Sequence, residues 1–396
     1  MLSFTFFALC LLAVMGMRLA SRQSIRTCLL LAFNLLFFLT WVGDFFSVCM
    51  VALILSLTWL AAKAKILFPK ASWLDVAVPI SVVLLWLLLF MGKEPNLLAA
   101  INPFHYHPVR IVGFSYLILR CISYIIDAQC FKTHNPLALI NYTLFFPSLI
   151  AGPIERFDKF QPFHDDSGET LAPDDILAAF HRIATGYIKK YVLADNLIAI
   201  TAYSGEPVGA VWAWLSFLLL LFVLYLDFAG YTDIVIGVAL LMGLKMRENF
   251  NRPFLATNIQ EFWNRWHMSL SSWIKDYVFN PLYLTALRRE ALARHSFIVS
   301  TAILGLTMML IALWHGSGWR WVVYGLIQGL ALILFQVYKK WAKPRLPVYL
   351  RAFLYDSWVG PWVGRAAIYL FISAATLIWR YEPSVSVALL KEMFGV

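Results

Sequence analysis

The sequence predicts an all-α polytopic membrane protein, and three observations carry that expectation. Hydrophobic residues make up 61% of the 396 and charged residues only 14%, a balance foreign to water-soluble domains. The apolar residues gather in long runs, roughly 2–17, 28–42, 45–62, 74–91, 109–126, 137–151, 183–202, 211–230, 231–244, 297–314, 320–338 and 362–379. No run alternates as a barrel strand does, and backbone in lipid must be satisfied internally, so the spans are helices. Several runs reach the ~20 residues that cross a bilayer, and the shorter ones suit tilted or re-entrant pieces. The expectation is about 11 transmembrane or re-entrant helices plus interfacial ones, in one domain. That domain divides into N-terminal spans (1–108), a motif-bearing core (109–340) and C-terminal helices (341–396).

The first run has no basic residues before it and no small-residue cleavage site after it, so it reads as a retained span rather than a signal peptide. Arg18, Arg22 and Arg26 follow it, Lys63, Lys65 and Lys70 follow the third run, and the connection between the second and third holds only Asp44. Basic short loops face the cytoplasm, which places the N-terminus outside. Lys339, Lys340, Lys343, Arg345 and Arg351 mark a later cytoplasmic segment. The net charge of +10 therefore reads as orientation bias and attraction to anionic lipid, not as nucleic-acid binding. The five cysteines, Cys10, Cys28, Cys49, Cys121 and Cys130, show neither metal spacing nor a disulfide framework.

Two regions interrupt the apolar runs. In 152–190, Asp165, Asp166 and Glu169 precede Pro173-Asp174-Asp175, a helix start with acidic residues in its first turn. In 245–296, Phe262, Trp266, Leu270 and Trp273 fall at i, i+4, i+8 and i+11, with Arg265, Lys275 and Asp276 off that stripe. This spacing predicts one helix lying on the membrane surface or folded into the protein. Within the spans, Arg120 stands mid-run with Asp127 after it, and Asp227 is followed by Asp233. Charges at that depth require a carboxylate partner, a wet cavity or a structural ion pair. The pairs Gly325/Gly329 and Gly360/Gly364 read as close helix packing.

Two histidines stand between tryptophans, in Phe262-Trp-Asn-Arg-Trp-His-Met-Ser269 and Leu313-Trp-His-Gly-Ser-Gly-Trp319. Interfacial histidines in an aromatic belt are the plain reading; a general base held at the edge of a span is the functional one. Motifs in register decide between them. Ile122–Asp127, Ala151-Gly-Pro-Ile-Glu-Arg-Phe157, Gly186-Tyr-Ile-Lys-Lys190 with Ala194-Asp-Asn-Leu197, and Asp227-Phe-Ala-Gly-Tyr-Thr-Asp233 are followed by Glu248-Asn-Phe-Asn-Arg-Pro-Phe254, Glu261–Ser271 and Leu313–Gly316. In that order they resemble the membrane-bound O-acyltransferase family, in the bacterial branch of alginate O-acetylation and teichoic-acid D-alanylation. The Lys-Lys and Glu-Asn-Phe-Asn-Arg-Pro segments resemble the acetylating group; the Trp-Asn-Arg-Trp-His run and the chain length sit nearer the D-alanylating one. Where acetylating relatives carry a glycine pair, this chain reads Tyr283-Leu-Thr-Ala-Leu287.

The resemblance implies helices around a central tunnel, with His315 as the catalytic histidine and His267 as the second. It implies transfer from a cytoplasmic thioester, on coenzyme A or on the phosphopantetheine of an acyl carrier protein, to a hydroxyl of an extracytoplasmic polymer. No permanently bound cofactor is expected. The chemistry agrees. Hydroxyl attack on a thioester needs a base, and a neutral imidazole supplies one at His315. His267 or Asn264 suits the donor carbonyl or the developing oxyanion, and flanking tryptophans exclude water. Asn251, Arg265, Trp314, Arg120 and Asp227 complete the residues expected to bind donor or substrate. A transporter with a histidine proton relay is the competing class. It predicts internal symmetry, which the sequence does not show, and it leaves 245–296 without a role.

Overall fold

The computed structural model describes residues 4–20, 22–42, 45–91, 113–131, 134–165, 171–203, 205–206, 208–316 and 318–395; Asp44, Asp166, Glu169 and Ser317 lie outside them. Among the described residues there are helices and no strand. In chain order they are α1 (Phe4–Leu19), α2 (Gln23–Trp41), α3 (Phe45–Leu67), α4 (Leu74–Met91), α5 (Phe114–Asp127), α6 (Pro136–Thr143), α7 (Phe146–Leu149), α8 (Phe157–Asp165), α9 (Pro173–Tyr187), α10 (Asp195–Thr201) and α11 (Ala210–Met242). The rest are α12 (Ile259–Arg265), α13 (Met268–Ile274), α14 (Asn280–Leu287), α15 (Glu290–Ala293), α16 (Ser296–His315), α17 (Trp319–Val337), α18 (Val348–Arg351), α19 (Gly360–Arg380) and α20 (Pro383–Met393). Six segments among these are long and apolar enough to cross a membrane: Gln23–Trp41, Ser47–Leu67, Ala210–Met242, Ser296–His315, Trp319–Arg345 and Gly360–Arg380.

α9 begins at Pro173 as its acidic first turn predicts. The runs 211–230 and 231–244 are not two helices but the single 33-residue α11, about 50 Å long at ~1.5 Å per residue. Nothing there breaks the chain, since Gly230 and Gly237 stand singly, seven residues apart, and Asp233 is paired with Arg182 at 3.0 Å. The run 137–151 does break, at Leu144–Phe145 between α6 and α7.

The helices form two units, Met1–Gly186 with Tyr231–Arg247, and Tyr187–Gly230 with Glu248–Val396. In the first, the break between α6 and α7 receives Arg120. Its Nη1 donates to the carbonyls of Tyr142 (3.1 Å) and Thr143 (3.0 Å), and its Nη2 to Ser148 O (3.1 Å) and Oγ (2.7 Å). The mid-run arginine therefore bonds to carbonyl and hydroxyl oxygens, not to the carboxylate partner or wet cavity the sequence suggested. The Tyr142 and Thr143 carbonyls are within reach because they end α6, where a helix leaves its last acceptors outside the regular ladder. Nearby, Glu155 pairs with Arg247 at 3.0 Å, and Tyr231 donates to Pro147 O at 3.1 Å. Gly152 sits at φ +77, and a Cβ there would lie 2.9 Å from the Tyr116 ring, which explains glycine in the Ala-Gly-Pro-Ile-Glu segment.

Arg120→Met removes a buried charge together with its hydrogen bonds to the Tyr142, Thr143 and Ser148 carbonyls. The expected cost is about 3 kcal/mol or more, read as a lower thermal midpoint in detergent with poor recovery of folded protein. An unchanged midpoint would show that the cage holds nothing together.

In the second unit α16 and α17 pair through a short turn, as an αα-hairpin does. Gly325 lets α17 approach, since a Cβ there would stand 2.9 Å from the Ala312 Cβ, and one at Gly329 would lie 3.3 Å from Gly305 O. A Cβ at Gly364 would fall 2.7 Å from the Thr257 carbonyl oxygen, and one at Gly360 2.2 Å from that of Leu354. Both glycine pairs are packing devices, as read from their spacing. At the C-terminus Glu392 accepts from Tyr203 Oη (2.8 Å) and from the amides of Val208 and Gly209, which fastens α20 to the start of α11.

Candidate active site

The segment 259–274 is not the one helix that its stripe predicts, but it is folded into the protein, the second of the two settings expected. α12 closes with Trp266 N donating to Phe262 O at 2.9 Å, His267 takes φ 45 and ψ 50, and α13 begins with Leu270 N and Ser271 N donating to His267 O at 3.0 Å each. Phe262, Trp266, Leu270 and Trp273 are all buried, so both halves are folded into the protein. A kink at one left-handed residue lets each short helix bury its own aromatic face. Histidine tolerates that conformation better than most residues, but it remains uncommon and marks sites held by their surroundings.

Here the holder is the segment Asn249–Asn251. Asn251 N donates to Arg265 O (3.0 Å) before the kink; after it, Met268 N donates to Asn249 O (2.9 Å) and Ser269 N to Asn249 Oδ1 (3.4 Å). Asn249 and Ser269 are fully buried. Arg265 joins the same frame, reaching Glu261 from Nε (3.1 Å) and Nη2 (2.9 Å) and Asn251 O from Nη1 (3.2 Å). Asn251 and Arg265 thus brace the turn, and no donor-binding role is needed to explain their bonds.

The His267 ring is 3% exposed, with Phe228 edge-on at 4.9 Å. Its Nε2 has no hydrogen-bond partner among the described residues. Burial pushes the imidazole down to about 3, so it is neutral throughout the physiological range. On its other side the Trp314 ring lies 6.0 Å away, and 4.8 Å further is the ring of His315, the last residue of α16. One buried indole thus bridges the two histidines. His315 is half-buried, stacked on Trp321 at 5.9 Å and 16°, with Trp379 edge-on at 6.3 Å.

Arg120 belongs to the first unit, in its carbonyl cage. Asp227 pairs with Lys190 in the π-turn Ile188–Ala194, a structural ion pair one residue before the Phe228 that touches His267. Asn264 is exposed and lines a cavity of about 880 Å³ with Thr257, Lys339 and Phe371. The structure adds Asn249, Phe228, Trp321 and Trp379, which the sequence did not single out. Asn249 lay inside a motif, but in an extended segment residues two apart look alike, so Asn251 drew attention instead. Trp321 and Trp379 stand in or beside apolar runs where nothing distinguishes a site wall from a lipid-facing ring.

The neutral state of His267 makes stability depend on pH. Its folded value is depressed, so below ~6.5 the unfolded chain binds a proton that the folded chain refuses. The stabilisation is complete above that value and is lost as pH falls, by about 2 kcal/mol at pH 5. The wild type is expected to lose more thermal stability between pH 7.5 and 5 than His267→Gln does. Equal losses in detergent melts would refute a buried neutral ring.

The membrane-bound O-acyltransferase family model matches residues 28–377. Relatives include a probable alginate O-acetylase, AlgI, of Pseudomonas fluorescens, 32% identical over 331 residues, which cover 81% of this chain and 63% of that one. A teichoic acid D-alanyltransferase of Bacillus subtilis is 33% identical over 270 residues, 63% of this chain and 67% of the relative. A peptidoglycan O-acetyltransferase of Helicobacter pylori is 34% identical over 201 residues, 50% of this chain and 37% of the relative. The chain spans under two thirds of the AlgI relative's length, at 63%.

Proposed function

The chain belongs to the membrane-bound O-acyltransferase family, and from that premise we propose that it moves an acyl group, acetyl or D-alanyl, from a thioester to a hydroxyl of a cell-envelope polymer. The observation that carries the reading is the pair His267 and His315 bridged by the Trp314 indole. A half-buried imidazole at a helix end is reachable by a hydroxyl, whereas a fully buried neutral one is suited to a fixed hydrogen bond.

In the proposed reaction the acceptor oxygen attacks the thioester carbonyl while His315 takes the hydroxyl proton. The C–O bond forms and the C–S bond breaks, and the proton passes to the leaving thiolate to give a free thiol. His267 Nε2, buried and without a protein partner, is placed to orient the donor or steady the charge that develops on its oxygen. Trp314, Trp321 and Trp379 keep water from the thioester.

The proposed setting is the bacterial cytoplasmic membrane, N-terminus outside, with coenzyme A or an acyl carrier protein delivering the thioester from the cytoplasm. Attraction of an acidic carrier or of phosphates to the basic Lys339–Arg351 segment supports that side. The three relatives, two named for acetyl and one for D-alanyl transfer, leave the acyl group to experiment. Proteoliposomes oriented by labelling of Ala342→Cys are loaded with acetyl-coenzyme A or D-alanyl carrier protein, and label is followed into a hydroxyl acceptor. Transfer from one donor, supplied on the side where Ala342→Cys reacts, is expected. Release of neither acyl group, from either side, rejects the reading.

A further inference from the structure

Outside the histidine pair, the described residues also form a cavity beside α17 and α19. Its ≈ 880 Å³ falls within the ~300–1,000 Å³ range of small-molecule sites. One end is cationic, with Lys339 exposed and Lys343 half-buried, the latter with its Nζ 3.9 Å above the Tyr355 ring. Tyr355 and Tyr338 share a hydrogen bond of 2.7 Å at the same end. Neither lysine has a carboxylate partner among the described residues. The one acidic residue in the lining, Glu261, is already engaged by the amide and hydroxyl of Thr257 (2.9 and 3.0 Å) and by Arg265. Phe335, Ile368 and Phe371 give it apolar wall, while Asn258, Gln260 and Asn264 line it from the side of α12. This is the charge pattern of a site for an amphiphile with an anionic head.

Its depth identifies the source. The candidate span Trp319–Arg345 ends at the cavity and Gly360–Arg380 begins there. Close in the chain to its lining residues are the exposed aromatics Trp341, Trp358 and Trp362, of the kind that gathers at headgroup level, with Lys340, Arg345 and Arg351 in the same stretch. We propose that the cavity binds the headgroup of an anionic phospholipid, its phosphate between Lys339 and Lys343 and its first methylenes along Phe335 and Phe371. Such an occupant arrives sideways from the bilayer and neutralises two lysines that have no carboxylate partner among the described residues. It brings a bound lipid to α12, the helix that ends at the His267 turn. The inference shares Lys339 and Lys343 with the basic segment of the acyl-transfer reading, but its measurement, bound lipid, is separate from transfer.

The test is native mass spectrometry of the purified full chain, offered equal amounts of phosphatidylglycerol and phosphatidylcholine. Wild-type protein should retain phosphatidylglycerol about ten-fold or more over phosphatidylcholine, since each lysine near a lipid phosphate contributes roughly a factor of five. The double variant Lys339→Gln/Lys343→Gln should lose that preference. Ala331→Phe, which fills the cavity from α17 and leaves its charge intact, should lose the bound lipid too. Equal retention of both lipids by the wild type overturns the proposal. So does a preference that survives Ala331→Phe, which would place the lipid on the open surface. Displacement of the lipid by equimolar coenzyme A would assign the cavity to a soluble phosphate ligand and overturn it as well.

Discussion

His315→Ala is expected to lower acyl transfer by about two to four orders of magnitude, the usual contribution of a positioned base, while the protein stays folded. The ring is half-buried at the last residue of α16, stacked on Trp321. Its loss leaves a small space at a helix end rather than a hole in the core. Folding is checked by an unchanged elution profile and a thermal midpoint within a few degrees of wild type. A variant that turns over at the wild-type rate would remove His315 from the reaction. His267→Ala separates the two roles. It deletes a side chain from a braced, buried turn, so some stability goes with it, but an orienting hydrogen bond is worth less than the base. The loss of rate should therefore be smaller than at His315. The reverse order would exchange the two assignments.

Much of this arrangement was legible in the sequence. The helical class follows from apolar runs in a medium that leaves unpaired backbone no alternative, and both histidines were marked by their tryptophan neighbours. Three things were not legible. The kink at His267 hides because Phe262, Trp266, Leu270 and Trp273 are buried on both sides of it. A spacing of four and eight cannot tell one helix from two short ones meeting at a left-handed residue. The Arg120 cage hides because its acceptors are mostly main-chain carbonyls around the break between α6 and α7, and carbonyls leave no trace in residue type. The continuity of α11 hides because Asp227 and Asp233 look like an ending, until Lys190 and Arg182 are found beside them.

Gly316→Ala is expected to cost nearly as much rate as losing the base, although it removes no reactive group. A Cβ at Gly316 would fall 2.0 Å from Trp321 Nε1 and 2.3 Å from its Cε2, distances that no packing tolerates. The backbone here is extended, at φ −172 and ψ 172, so conformation does not demand the glycine; the indole does. Trp321 is 8% exposed and stacked on His315, so it cannot step aside without taking the imidazole's support with it. Either the indole or the end of α16 must shift, and a displacement of about 1 Å at a reacting group costs on the order of a hundred-fold in rate. The strain itself should be modest, about 1–3 kcal/mol, so the protein still purifies. The decisive measurement is a double variant. Trp321→Leu removes the ring atoms that the new methyl meets, so Gly316→Ala/Trp321→Leu should be faster than Gly316→Ala alone, a coupling that independent sites do not show. If Gly316→Ala keeps full activity, or if the two losses simply add, then the close approach of Gly316 to Trp321 does not position His315.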